Sequence, residues 1–280
     1  MRLDEILPKG CTEKIAWLVE NKQYVLNVKK SAKKICDTFT LSKPPEIFKP
    51  SGEAIKALSS ADRMYLGQSD EIPDKIRVRA VVNTTNYMDS HGDVHINGIW
   101  NKSLKENKYN VLLKDHKNDW ENVITDEVHV FTKYMTWREL GWDAPGETQA
   151  LIYDAMIPRD DSTGMFKRYL AGKVKHHSVA MRYIKIFLAV NDPNYPEEYA
   201  NWQKYSVNVL NISEAEEQGF FFAVTEAKHI EGSAVVIPSN PITPTLYVGK
   251  ATHNEVEPVV APLASVDEQV KYIIKNFNPF

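Results

Sequence analysis

Apolar residues change their spacing along this chain, and the change divides it. From Thr12 onward, Ile15, Leu18 and Val19 recur at helical spacing, which predicts a helix with Thr12 as its N-cap. Lysines then cluster at Lys29, Lys30, Lys33 and Lys34, either as a solvated helix face or as a docking surface for a partner. Ser42-Lys43-Pro44-Pro45 and Pro50-Ser51-Gly52 break the pattern with linker chemistry. Residues 1–74 are therefore expected to form a helical N-terminal extension and linker outside the main core.

Beyond Asp74 the period drops to two. Residues 75–82 alternate as a half-buried strand does, and 109–114, 122–130 and 149–157 are further strand candidates. A short helix is expected over 163–170, closed by Gly172. A long β-like run follows over 176–190, then a helix over 195–218 ending at Gly219, then a strand from 219 that Pro238 stops. Residues 246–280 carry an amphipathic segment (Val266, Val270, Ile273, Ile274) and read as a tail. Many strands with few helices between them argue against a doubly wound α/β fold. The expected class is α+β: a mainly antiparallel β-barrel core surrounded by helices, with the core at 75–245 and the tail at 246–280.

Composition narrows the function classes. The 280 residues are 43% hydrophobic and 25% charged, enough apolar material for a real core. The 34 basic and 37 acidic residues leave a net charge of −3, so nothing global points to nucleic acid or an anionic membrane. The two cysteines, Cys11 and Cys36, have neither CxxC spacing nor a partner cluster, which disfavours a disulfide framework or structural zinc. There is no signal-like apolar run at the N-terminus and none of membrane-spanning length, so a soluble intracellular protein is expected.

The candidate chemistry is nucleophilic. Ser178 sits in Lys175-His176-His177-Ser178-Val179-Ala180, at a strand start just after a helix-ending glycine, and no G-x-S-x-G elbow surrounds it. His116 follows the apolar strand Val111-Leu112-Leu113 among polar residues, where a histidine is accessible and suited to acid–base work. His229 and Glu231 lie two apart on a predicted strand and would share a face, so either could orient His116; Ser233 on that face is a rival nucleophile. A metal reading competes, with His91 and His95 four apart beside Asp89 and Asp93, although Ser90-His91-Gly92-Asp93 is turn chemistry.

Three blocks in order carry a family resemblance. They are Asp89-Ser90-His91-Gly92-Asp93-Val94 with Asn97-Gly98-Ile99-Trp100 and the strand into Asp115-His116; then Gly172 to Ser178; then Glu231-Gly232-Ser233-Ala234-Val235 with Pro238-Ser239-Asn240-Pro241. Together they resemble the prohead (capsid maturation) serine proteases of tailed phages, whose fold is shared with the herpesvirus assemblins. The resemblance spans about residues 75–245 and leaves out the N-terminal extension. Two departures stand out: Ala180 where the family usually has glycine, and a longer, helix-bearing segment over 187–225 that could reshape the substrate groove.

The resemblance implies a serine endopeptidase with Ser178 as nucleophile, His116 as base and Glu231 as third member, needing no metal or organic cofactor. Implied substrates are the major capsid protein, scaffold or portal proteins and the protease itself, inside the immature capsid in the host cytoplasm. A homodimer is compatible with it, whereas nucleic acid and membrane are not implied. Two rival classes remain: a catalytically weak structural or scaffolding procapsid component, and a metal-dependent hydrolase using His91, His95 and His116.

Overall fold

A computed structural model of the chain describes residues 5–31 and 72–250. Strand β1 (Lys75–Asn83) shows how the period-two pattern becomes architecture. Ile76, Val78 and Val82 enter the main core, while Arg77 and Arg79 both reach Asp154, at 2.6 and 2.9 Å. Burial opposes ionisation of that carboxyl, but the two guanidinium groups hold it below its ordinary range. β6 (Glu147–Pro158) pairs antiparallel with β1, and β5 (Val128–Thr136) pairs antiparallel with β6. β9 (Thr245–Lys250) pairs antiparallel with the other edge of β1, giving the order β5-β6-β1-β9.

The second sheet is organised by β8 (Phe220–Val235), with β7 (His176–Val190) antiparallel along it. Two short strands share its other edge, both parallel to it: β2 (Asp93–His95) at Phe222–Val224 and β3 (Leu112–Lys114) at Gly232–Ala234. β4 (Val123–Thr125) flanks β3 antiparallel. Among the described residues six α-helices surround the sheets: α1 (Lys14–Glu20), α2 (Lys22–Ser31), α3 (Asn101–Glu106), α4 (Met165–Leu170), α5 (Pro196–Tyr205) and α6 (Ile212–Gln218). Among the described residues no helix is long and apolar enough to cross a membrane.

The class is α+β as expected, but among the described residues the strands form two open sheets and no closed barrel. The sheets meet at a corner where an isolated bridge, His176 to Pro244, joins them. Pro244 has no N–H to extend a ladder, and its carbonyl is taken by Val81 N–H at 3.0 Å. Both faces of β8 are covered over its N-terminal half. Along β8, Phe220, Phe222 and Val224 enter the main core, while Phe221 and Ala223 pack under α5 and α6 with Trp202 and Ala215.

Further expectations change. The helix expected over 195–218 is two helices, because the intervening backbone is captured by the core: Leu210 N–H donates to Asn86 C=O at 2.8 Å, and the Asn211 side chain binds both N–H and C=O of Met88. The strand expected over 122–130 splits into β4 and β5, which belong to different sheets. Residues 246–250, expected as tail, lie within β9; Val266, Val270, Ile273 and Ile274 fall outside the described residues.

The largest change concerns the N-terminal helices, which are not an appendage. Leu18, Val25 and Leu26 are buried in the main core, and Lys29 is wholly buried against Asp93. Lys33 and Lys34 fall outside the described residues. The N-cap of α1 is Glu13 rather than Thr12.

Candidate active site

One irregularity in β8 arranges the site. Ser178 faces Ser233 across the β7–β8 ladder and Ala180 faces Glu231, but Met181 then faces His229, so Ile230 is an extra residue and a β-bulge. Side chains alternate along a strand, so Ser178, Ala180, Ser233 and Glu231 share one face. The bulge turns His229 to the opposite face. The expectation that His229 and Glu231 lie side by side is corrected by that single inserted residue.

β3 runs parallel to β8 with Leu113 beside Ser233, and the chain then turns through Asp115 and His116 with φ of 55° and 58°. Left-handed backbone costs non-glycine residues about 1–2 kcal/mol each, so the turn must be held by its partners. Asp115 N–H donates to Ala234 C=O at 3.0 Å, Lys117 N–H to Lys114 C=O at 3.2 Å, and His116 N–H to Ser233 Oγ at 3.1 Å. This turn swings the imidazole back over β8, where Nδ1 meets Glu231 Oε1 at 2.7 Å. Ser233 Oγ donates to the other carboxylate oxygen, Oε2, at 2.8 Å.

Ser233 is thereby engaged on both sides, accepting from His116 and donating to Glu231. The carboxylate can only accept, so Nδ1 carries the imidazole proton and Nε2 carries the lone pair. Nε2 is buried and has no hydrogen-bond partner among the described residues. The side chain is 1% exposed, so the accessible histidine expected from the sequence is instead enclosed. Ser178 is buried too, and among the described residues no hydrogen bond joins its hydroxyl to His116.

The strand carrying Ser178 is anchored by its neighbour. His177 is wholly buried, with Nε2 2.9 Å from Tyr169 Oη on α4 and Nδ1 3.3 Å from Thr243 C=O. Burial pushes its imidazole down to about 4. α4 is itself capped by Asp161, whose Oδ2 accepts from Met165 and Phe166 N–H. His176 shares the face of Ser178 by alternation, and its Nδ1 is buried without a partner among the described residues.

His229 lies in a separate cluster. Nδ1 is 3.0 Å from Asn107 Nδ2, Nε2 is 2.5 Å from Tyr153 Oη, and Ser103 Oγ accepts its backbone N–H at 2.8 Å. Burial lowers it to about 4 and pushes the Tyr153 phenol well above its ordinary value. Gly232 permits this packing: a Cβ there would lie 2.5 Å from Tyr153 Cζ.

The residues of the metal reading form an ionic and hydrogen-bonded chain. Lys29 Nζ pairs with Asp93 Oδ1. Tyr183 Oη donates to Asp93 Oδ2 at 2.9 Å and stands 3.2 Å from His95 Nε2, and Asn83 Nδ2 stands 2.8 Å from His95 Nδ1. Asp89 Oδ1 accepts from His91 and Asp93 N–H; burial opposes ionisation of Asp89, but its bond with His91 holds the carboxyl well below its ordinary value. His116 stands with Glu231 rather than with His91 and His95, and among the described residues no metal-holding group of side chains forms.

Tyr169, Thr243, Asn107, Tyr153 and Tyr183 had no local signal in the sequence, because each acts across strands or sheets. The segment over 187–225 places α5 and α6 beyond Val190, at the opposite end of β7 from Ser178. Compared with protein-family models, with curated proteins and with solved structures, the chain matches none.

Proposed function

We propose that this chain is a serine endopeptidase of capsid maturation, with Ser178 as nucleophile, His116 as general base and Glu231 as the carboxylate that orients the base. One observation carries the reading: His116 is bound through Nδ1 to Glu231 while Nε2 has no partner among the described residues, on the face of β8 that Ser178 shares. Nε2 would take the Ser178 proton as the hydroxyl attacks a scissile carbonyl, and would return it to the leaving amine. Glu231 would fix the tautomer and stabilise the imidazolium formed on the way. Such bonds are commonly long before substrate binds and tighten in the complex.

The capsid context rests on the order of the three sequence blocks, which also motivates the assemblin-like version of the fold. Substrates would be the major capsid protein, scaffold or portal proteins, met inside the immature capsid in the host cytoplasm. The test is intact mass over time for the protein and its Ser178→Ala variant, each mixed with those proteins. Fragments from the first alone support the reading; fragments from both move the nucleophile elsewhere.

A second reading, a structural procapsid component of little activity, is favoured by the burial of both Ser178 and His116 and by the missing bond between them. Absence of fragments from either protein inside assembled procapsids would establish it.

A further inference from the structure

A row of buried side chains from α2, β2, β7 and β1 starts at a lysine and stops beside Ser178. Lys29 Nζ, wholly buried, pairs with Asp93 Oδ1 and lies 4.1 Å from the centre of the Phe222 ring. Tyr183 Oη is 2.9 Å from Asp93 Oδ2 and 3.2 Å from His95 Nε2. His95 Nδ1 is 2.8 Å from Asn83 Nδ2. Asn83 Oδ1 and Ser239 Oγ are buried with no partner among the described residues. Both residues line, together with Ser178, one small space with room for about one water. Buried polar oxygens are rarely left unsatisfied, and a water held there serves both.

Charge at one end of the row sets the orientation at the other. Facing the Lys29 ammonium, the Asp93 carboxylate has only lone pairs to offer, so Tyr183 donates to it. Burial holds the His95 imidazole below its ordinary value, so it is neutral and carries one proton. Tyr183 Oη, its own proton given to Asp93, accepts that proton from Nε2. Nδ1 is left as an acceptor, and Asn83 presents its NH₂ there and its Oδ1 to the water. The water then donates one proton to Asn83 and one to the Ser178 hydroxyl while Ser239 donates to it. That leaves the Ser178 proton free for His116.

We infer that Lys29, Tyr183 and Asn83 are positioning residues for Ser178: α2 fixes the direction of the row, and the row fixes a water against the serine hydroxyl. The inference rests on the endopeptidase reading for the purpose of the row. It goes beyond it in making the N-terminal helix part of the working site.

The test uses the full chain and two readouts. Isotope-edited imidazole NMR locates the His95 proton, with the His95 signals identified by their loss in His95→Gln. Intact mass follows phosphonylation of Ser178 by a small fluorophosphonate and cleavage of a scaffold or capsid protein, with Ser178→Ala as the blank. In the wild type the proton is expected on Nε2. Tyr183→Phe removes the acceptor at Nε2 and is expected to move the proton to Nδ1, turning the Asn83 amide over. Lys29→Met leaves a buried carboxylate without its counter-charge, and a proton taken up there reverses the row in the same way. Both variants are expected to react about ten- to a hundredfold more slowly at Ser178. His229→Ala, destabilised but outside the row, should keep the wild-type rate.

A proton that stays on Nε2 in both variants, or a wild-type rate despite a moved proton, overturns the inference and leaves the endopeptidase reading standing. So does an equal slowing in His229→Ala. Phosphonylation that depends on the row, with no cleavage of capsid or scaffold proteins by the wild type, upholds the inference and overturns the endopeptidase. Where the wild type cleaves without reacting with the probe, the cleavage rates decide in the same way. Neither phosphonylation nor cleavage by the wild type overturns both.

Discussion

Ser178 on β7 and Ser233 on β8 stand directly opposite each other across the ladder, yet only Ser233 is tied down. Its Oγ accepts from His116 N–H at 3.1 Å and donates to Glu231 Oε2 at 2.8 Å, whereas the Ser178 hydroxyl is bonded to neither His116 nor Glu231. A nucleophile has to be free to give its proton to the base, and a brace has to be fixed.

The two serines should therefore separate on substitution. Ser178→Ala is expected to lower peptide hydrolysis by about 10⁴-fold or more, as loss of a nucleophile does. Ser233→Ala loosens the His116 turn and is expected to lower it by only about tenfold. Rates on a capsid or scaffold substrate decide; the reverse order would make Ser233 the nucleophile.

Glu231 and His229 should separate as well. Glu231→Gln keeps the shape but not the charge opposite His116 Nδ1, and an expected loss of about 10⁴-fold in turnover follows from the wrong tautomer and an unsupported imidazolium. His229→Ala leaves Tyr153 and Asn107 without a buried partner and should cost about 1–3 kcal/mol in stability with turnover little changed. Urea unfolding beside steady-state rates checks both, and a turnover collapse in His229→Ala would restore it as the third member.

Stability should fall with acid in a defined window. His177 and His229 are held neutral by burial, at about 4 against an ordinary 6.5. Between those values the unfolded chain binds protons that the folded chain does not, so stability is complete above about pH 6.5 and is lost as pH falls toward 4. Each histidine contributes up to about 3 kcal/mol. A urea midpoint unchanged between pH 7.5 and 4.5 would contradict this.

Lys29 should behave as a core residue. Removing it by Lys29→Met leaves Asp93 buried and charged, with an expected cost of about 3–5 kcal/mol. Adding Asp93→Asn should recover much of that loss. A single variant within about 1 kcal/mol of the wild type in urea would show that α2 does not rely on the pair.

Gly232→Ala tests the packing beneath the site. The new methyl would meet the Tyr153 ring at 2.5 Å and should cost about 1–3 kcal/mol, displacing the ring that holds His229. Thermal unfolding reports it; a neutral result would mean that Tyr153 moves aside freely.

Much of this molecule was written in local pattern. The run over 176–190 reads as one long β-like stretch, and it is β7 throughout; Gly219, at φ 81°, ends α6 as a C-terminal glycine does. Ser178, His116 and Glu231 could be nominated because their short contexts resemble a known family, although no sequence spacing brings them together. What the tertiary structure decided depends on events that alternation cannot encode. The extra residue at Ile230 reverses the facing of His229. Lys29 reads as a surface lysine until Asp93, 64 residues later in the chain, is placed against it. A charge, a hydroxyl or an imidazole takes its role from whatever fills the space around it, and in this chain those neighbours arrive from other strands.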